Sequence, residues 1–439
     1  MLRRFLVIGI ALGTTFGCAT GNDEPSETDE GTGSPAGVTS GGSDGGASSA
    51  TVGSASASSG QGAGNPSSSS TGGSTTTNST SGSGGAGASG GAGGGSLEGT
   101  ATTLLSVFAG ANSSAIVAND QNLVTNMGFA TPFSEQTAER VGLAMTTNGK
   151  GIAVVRAVGT GELRYAIWSG NWFPGFGNPL TAVEAGLTLV GGPAIASAGA
   201  DKAHVVYQRE DGKFYYAAIQ SGLWSPTQEP MGTGADQSSG PVPPSVATSG
   251  GDPVVVFVGA DGDLYDRKRA AGIWQPPHAH GIAGAVAAIT PATVSLASGP
   301  ELLVVFADAT THALEFTTFD GAVWSAPAPI PNAASDDLVS LSALPTSGAA
   351  IAYRATDGTP HTSVFSPADS TPWSEPPGLG AAQLSGTPAI ASGAVGARAE
   401  LIYVDATFIV YSSRLVSGAW TAPVLSGSSG ERVAIVTGL

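Results

Sequence analysis

Six tryptophans recur at a nearly constant interval in the C-terminal three quarters of this 439-residue chain. Subtracting their residue numbers gives intervals of 52, 50, 50, 49 and 47 residues for Trp172, Trp224, Trp274, Trp324, Trp373 and Trp420. An indole ring can stack on the apolar face of a sugar ring and can donate one hydrogen bond. In the alternative, structural role, each indole covers the gap between its own repeat and the next and donates its N–H to a backbone carbonyl. The sequence favours the structural role at each position and leaves the binding role open.

Three arginines lie where they could reach a ligand held near these tryptophans. Arg209, Arg267 and Arg354 end or follow extended segments close to Asp-Gly turns. A guanidinium group offers five hydrogen-bond donors in a planar fork. The alternative is that they are ordinary solvated turn residues.

Two short polar motifs have the residue types of metal ligands. His278 and His280 form an H-x-H pair after Pro276-Pro277, but no third His, Cys or acidic cluster lies nearby in the sequence. Asp261, Asp263 and Asp266 are spaced for calcium ligation but lack the longer acidic loop that hard cations usually require. We therefore expect a solvated edge loop and a polar hairpin turn, and no bound metal.

Catalytic motifs give no positive signal. The chain has no G-x-S-x-G elbow, no H-E-x-x-H and no phosphate-cradling glycine loop attached to a helix. The prediction is a protein that is not an enzyme and needs no cofactor. A pair of carboxylates facing each other across a pocket would make a glycan-acting enzyme, and this stays open as a second alternative.

The charge balance argues against a nucleic-acid partner. Of the 33 acidic and 16 basic residues, seven and two respectively precede residue 101, so residues 101–439 carry a net charge of −12. An acidic domain repels phosphate backbones.

The elements that position these residues are short antiparallel strands. The stretch HVVYQREDGKFYYAAIQSGLWSP, residues 204–226, contains two extended runs joined by a turn at Asp211-Gly212, and then a second turn at Gly222 before Trp224. Asp-Gly favours hairpin turns. With Phe133 in a seventh copy, the period near 50 residues predicts an all-β, seven-bladed β-propeller of four-stranded antiparallel blades over residues 101–439.

Patterns within each repeat place the strands. Small residues predict the innermost strands, as at 193–197, 244–248, 291–295 and 388–392, because little volume is left around a central channel. Continuous apolar runs such as 254–258 and 302–306 predict second strands buried on both faces. Blade one lacks a small-residue opener, since 104–109 resembles a second strand. We therefore expect residues 432–437 at the C-terminus to supply its innermost strand.

The first hundred residues have a different composition. Residues 1–18 combine Arg3 and Arg4 with a short apolar run and small residues, which indicates a secretory signal. Gly17-Cys18 resembles the processing site of bacterial lipoproteins, which implies lipidation of Cys18; the alternative is a free thiol beside an ordinary cleavage site. Residues 19–100, rich in Gly, Ser and Thr, are predicted to be a flexible tether. The signal predicts export to the cell envelope. Because Ala19 is not the Asp that retains lipoproteins at the inner membrane, we expect the protein at the outer membrane or the cell surface.

The repeats at 204–226 and 254–277 resemble the seven-bladed bacterial propeller lectins typified by the Photorhabdus lectins, and more distantly the six-bladed fucose-specific fungal lectins. This resemblance implies sugar pockets between adjacent blades. The position of the fungal Arg is occupied here by His204, Val254, Leu303, Ala350 and Glu400, and that of the fungal Glu by Tyr216 and Asp266. The expected function is a membrane-tethered carbohydrate-binding module, and the alternative is a protein-interaction scaffold of the envelope that binds no glycan.

Overall fold

The fold was obtained as a computed structural model, which describes residues 99–438 apart from 110–114, 126, 176, 185, 226–228, 232–241, 283, 375–377, 381 and 430–431. All regular elements in these residues are β-strands. Within them no helix has the length and apolarity needed to span a bilayer. The predicted signal sequence, Cys18 and almost all of the predicted tether lie outside the described residues.

The strands form seven antiparallel sheets, numbered here as blades one to seven in chain order. Blade one contains β1 (Thr103–Ala109), β2 (Ala115–Asn122) and β3 (Met127–Gln136). Blade two contains β4 (Gly142–Met145), β5 (Gly151–Arg156), β6 (Leu163–Trp168), β7 (Trp172–Phe173) and β8 (Thr181–Ala182). Blade three contains β9 (Leu189–Ser197), β10 (Lys202–Arg209), β11 (Phe214–Gln220), β12 (Leu223–Trp224) and β13 (Glu229–Pro230). Blade four contains β14 (Ser245–Ser249), β15 (Asp252–Val258), β16 (Leu264–Ala270), β17 (Ile273–Trp274) and β18 (His278–Ala279). Blade five contains β19 (Ala292–Ser295), β20 (Leu302–Ala307), β21 (Ala313–Phe319) and β22 (Ala328–Ala334). Blade six contains β23 (Val339–Ala343), β24 (Ala349–Arg354) and β25 (Pro360–Phe365). Blade seven contains β26 (Ala389–Ser392), β27 (Ala399–Val404), β28 (Ile409–Val416), β29 (Ala419–Trp420) and β30 (Val424–Ser429).

The last strand, β31 (Arg432–Gly438), returns to blade one and confirms the predicted ring closure. It pairs antiparallel with β1 over the whole length of both strands, from Thr103↔Gly438 to Ala109↔Arg432. The innermost strands β31, β4, β9, β14, β19, β23 and β26 each contact the next, and β26 contacts β31. The fold is therefore the predicted seven-bladed propeller, with its N- and C-terminal strands sharing one sheet.

The predicted strand types are also confirmed. The four small-residue segments form β9, β14, β19 and β26, and the continuous apolar runs form second strands whose residues are almost all buried. The fourth strand is divided into two short pieces in blades two, three, four and seven. In blade six it is reduced to isolated bridges, including Phe365↔Trp373.

The hydrophobic core lies between the blades. Buried apolar clusters fill the interface of every neighbouring pair, including that between blades seven and one. Both faces of each second strand therefore pack against apolar side chains, which explains why these strands lack alternation. At the start of the ring, Gly99 and Ala101 form parallel bridges with Val395 and Ala394 of blade seven.

Candidate inter-blade binding site

The six repeated tryptophans lie at blade interfaces, but each side chain packs against the preceding blade and not the next. Trp224 is 5.2 Å from Tyr165 of blade two between ring centroids, and Trp274 is 5.4 Å from Tyr216 of blade three. The same contact joins Trp324 to His280 at 4.9 Å. The expectation that each indole covers the gap to the next blade is therefore wrong. The direction depends on how the short strand that carries the Trp pairs with the third strand, because this pairing decides the face on which the Trp side chain lies.

Phe133 does not repeat this contact. It lies in β3 of blade one, as the seventh copy predicts, but its ring faces Trp172 of the following blade at 6.3 Å. Blade one therefore lacks the aromatic contact to its preceding blade that blades two to six make. Its interface with blade seven is built mainly of aliphatic residues, among them Leu104, Val433 and Ile435.

The indole N–H groups are polar atoms within these interfaces. In Trp172, Trp224, Trp274 and Trp373 the Nε1 atom is buried and has no hydrogen-bond partner in the part of the chain that the structure describes. The expected bond from each indole to a backbone carbonyl is therefore wrong at these four positions. By contrast Trp168, which is outside the repeat, donates to Asp120 Oδ2 at 3.1 Å. A buried donor without an acceptor costs about 1–3 kcal/mol.

The interface between blades three and four combines aromatic, cationic and hydrogen-bonding side chains, and we call this set the Trp274 cluster. It consists of Trp274 and Arg269 from blade four and Tyr216 and His204 from blade three. The Arg269 guanidinium carbon lies 5.2 Å from the centroid of the Tyr216 ring, which is the geometry of a cation–π contact. Because Arg269 and Trp274 are directly opposite each other on β16 and β17, strand pairing fixes their separation.

His204 is the buried polar group of this cluster. Its Nδ1 is 2.8 Å from the Tyr216 hydroxyl and its Nε2 is 3.2 Å from the carbonyl oxygen of Gly251, so the ring connects the two blades. The side chain is almost fully buried, and burial lowers the His204 pKa to about 4. The imidazole is therefore neutral at pH 7, and its hydrogen bond to Tyr216 holds the phenol ring beneath Arg269.

The three arginines predicted as ligand-binding do not form one site. Arg209 stacks on Tyr215 at 4.8 Å beside the Asp211 turn of blade three. Arg267 donates from Nε to the Gln275 carbonyl at 2.6 Å in blade four. Arg354 belongs to blade six, and its Nε is buried without a hydrogen-bond partner among the described residues.

Arg269 is the binding-site residue that sequence reasoning missed. It lies two positions after Arg267 on β16, so strand alternation places both on one face of the sheet. That alternation was the available signal. What it did not show is that this face points at blade three and its Tyr216 ring.

A second buried polar pair lies in blade seven, at the position equivalent to His204. Arg414 donates from Nε to Glu400 Oε2 at 2.8 Å, and its NH2 group donates to the Val395 carbonyl. Burial of Glu400 raises its pKa to about 7, an effect that outweighs the lowering by Arg414. The positions that carry Arg in the fungal pattern thus hold a histidine in blade three and a carboxyl in blade seven.

The three aspartates near the second hairpin do not converge on one point. Asp261 closes the turn by accepting from the Asp263 N–H and the Tyr265 hydroxyl, and Asp263 accepts from the backbone N–H groups of Gly281 and Ile282. The prediction of a polar turn describes these two residues. Asp266 instead contacts the histidine pair of the same blade.

Comparison with known proteins gives structural resemblance only. No protein-family model and no curated protein matches the chain. AofleA from Arthrobotrys oligospora shares 13% identity at a TM-score of 0.46, over 69% of this chain and 91% of that one. The six-bladed fungal lectin from Aleuria aurantia, whose structure shows a fucose recognition mode, shares 14% identity at a TM-score of 0.44, over 66% of this chain and 97% of that one. A protein from Lactobacillus plantarum shares 11% identity at 0.47, over 76% and 98%. Values this low do not assign the chain to a family.

Proposed function

We propose that this chain is an exported, lipid-anchored β-propeller that binds carbohydrate in the grooves between its blades. The observation that carries the proposal is the recurrence of a buried indole N–H without an acceptor in blades two, three, four and six. One such donor would be an isolated defect in packing. Four at the same position of a repeat are a regular feature of the interfaces. The Trp224 and Trp274 rings are only partly buried, so theirs are the two donors that a partner supplying acceptor oxygens would meet.

A sugar supplies the acceptor oxygens that these interfaces lack, and its apolar faces complement their aromatic rings. Its hydroxyls accept from indole and guanidinium donors, while its C–H faces pack on aromatic rings. In the Trp274 cluster these groups are Trp274, Arg269 and Tyr216, and His204 is hydrogen-bonded to Tyr216. We therefore assign the Trp274 cluster as the principal site and Trp224 as a weaker, repeated site, whereas Trp172 and Trp373, each only 5% exposed, belong to the core between blades.

The test is a glycan array followed by titration with the best glycan found. Trp274→Phe keeps a ring against Tyr216 but removes the N–H donor, so we expect one binding site per chain to be lost while the melting temperature changes little. The matched control is Trp168→Phe, because the Trp168 donor is already bonded to Asp120. Unchanged stoichiometry in Trp274→Phe, or an array without any signal, would contradict the proposal. Cleavage of the bound glycan would indicate an enzyme.

Anchoring is the second part of the proposal. Cys18 follows a short apolar run, and about 80 small and polar residues separate it from the propeller. A flexible chain of that length spans on the order of 50 Å, enough for the blades to reach ligands away from a membrane. Incorporation of labelled fatty acid should occur in the wild-type chain and be absent in Cys18→Ala. Fractionation should then locate the wild-type protein in the outer membrane; equal labelling of both chains would refute lipidation at Cys18.

A protein-interaction scaffold is the alternative, and one observation favours it. The residues directly before three successive tryptophans, Leu223, Ile273 and Val323, are 75%, 68% and 66% exposed. An exposed apolar side chain repeated at the same position of three successive blades would suit a surface that binds protein. An envelope protein that co-purifies with the wild-type chain, but not with Leu223→Ser or Ile273→Ser, and an array without glycan signal would decide for the scaffold.

A further inference from the structure

Blade four brings together three side chains with the donor atoms of a transition-metal site. His278 lies directly opposite Asp266 in the pairing of β18 with β16, and His280 is two positions further on. The ligand atoms of Asp266, His278 and His280 all lie within 4.8 Å of one another. The sequence separates the histidines from the carboxylate by more than ten residues, and the short outer strand β18 closes that distance.

The geometry is close to what a metal ion requires. Asp266 Oδ1 is 2.8 Å from His278 Nδ1 and 3.2 Å from His280 Nε2. Around a tetrahedral zinc ion with bonds near 2.1 Å, neighbouring ligand atoms are about 3.4 Å apart. Small rotations of the Asp266 and His278 side chains would therefore open a position equidistant from the three atoms.

The state of His280 is the independent observation that points to a ligand. Its side chain is only 2% exposed, and its ring packs against Trp324 of blade five at 4.9 Å. Although Nε2 is near the Asp266 carboxylate, it lacks hydrogen-bond geometry and has no hydrogen-bond partner among the described residues. A buried nitrogen directed at a carboxylate without bonding to it is unfavourable unless a further group lies between them.

We propose that Asp266, His278 and His280 bind a divalent transition-metal ion, with zinc the best match. Two imidazole nitrogens and one carboxylate oxygen form a borderline donor set that suits zinc and neighbouring first-row ions rather than calcium or magnesium. The His278 side chain is 55% exposed, so water would reach the site and supply the remaining ligand. The ion would join the outermost strand of blade four to its third strand, below the Trp324 ring.

The test is titration of the full chain, purified without a polyhistidine tag, with zinc and with cobalt. We expect one ion per chain by calorimetry and a visible cobalt absorption band, together with a higher melting temperature when zinc is present. His278→Ala changes an exposed side chain and should weaken zinc binding by at least about 100-fold, since loss of a hydrogen-bond partner of a ligand alone costs about 10- to 100-fold.

The matched control is His312→Ala. His312 Nδ1 lies 2.8 Å from Asp336 Oδ1, which is the same distance as in the His278 pair, but no third ligand accompanies that pair among the described residues. Zinc affinity should be unchanged in this variant. The proposal is overturned if the wild-type chain gives neither a zinc heat nor a cobalt band, or if His278→Ala and His312→Ala bind zinc equally well. Asp266→Asn provides a second test, and if that variant does not fold, the comparison of the two histidines decides alone.

Discussion

Two buried groups in different blades should give this protein opposing pH dependences of stability. Burial lowers the His204 pKa from 6.5 to about 4, and burial raises the Glu400 pKa from 4.5 to about 7. Between pH 4 and 6.5 the unfolded chain binds a proton at His204 that the folded chain does not, so this group makes stability rise with pH. Between pH 4.5 and 7 the folded chain holds a proton at Glu400 that the unfolded chain has lost, so this group makes stability fall as pH rises.

The two contributions are of similar size. Each pKa differs from its unfolded value by about 2.5, and one unit corresponds to about 1.4 kcal/mol, so each group contributes about 3 kcal/mol across its window. Both side chains are almost completely buried, so little solvent screening reduces these values. Because the windows overlap and the signs are opposite, the wild-type chain should show almost no net pH dependence from these two residues.

Single substitutions should expose the hidden slopes. The free energy of unfolding, measured by urea denaturation from pH 4 to 8, should fall with rising pH in His204→Gln relative to wild type. It should rise with pH in Glu400→Gln, and the double variant should again follow wild type, because the sites are in blades three and seven and should be additive. If both single variants give curves parallel to the wild-type curve, the assignment of these buried groups as oppositely titrating is wrong.

Two further predictions concern the backbone. A chain that ends at Gly430 lacks β31, so β1 loses a full ladder of hydrogen bonds and the ring cannot close; we expect calorimetry to show no cooperative unfolding, and a normal transition would disprove the closure. Gly348 has a φ of +77°, and a Cβ added there would overlap the carbonyl oxygen of Phe365, so Gly348→Ala should destabilise the domain by at least about 3 kcal/mol. Gly418 has a similar φ of +82° but open space around it, so Gly418→Ala should cost only about 1 kcal/mol; equal losses of urea stability would show that overlap is not the cause.

The sequence by itself determined the repeat and therefore the ring. Period, turn residues and strand patterns can be read from the sequence without tertiary contacts. They therefore predicted the blades, the buried second strands and even the position of 432–437 in blade one. A strand that is buried on both faces must be apolar wherever it lies. This is why Val254–Val258 could be placed before any neighbour was known.

Contacts across the blades were decided only by the tertiary structure. Which neighbour Trp274 touches, and that Arg269 covers the Tyr216 ring, depend on the face that each strand turns to the adjacent blade. His278 and His280 appeared to lack a third ligand because Asp266 is distant along the chain, and only the pairing of β18 with β16 brings it close. Sequence spacing gives distance along the chain, whereas a binding site depends on distance in space. In a propeller the sheet register and the ring closure determine which distant residues lie close together.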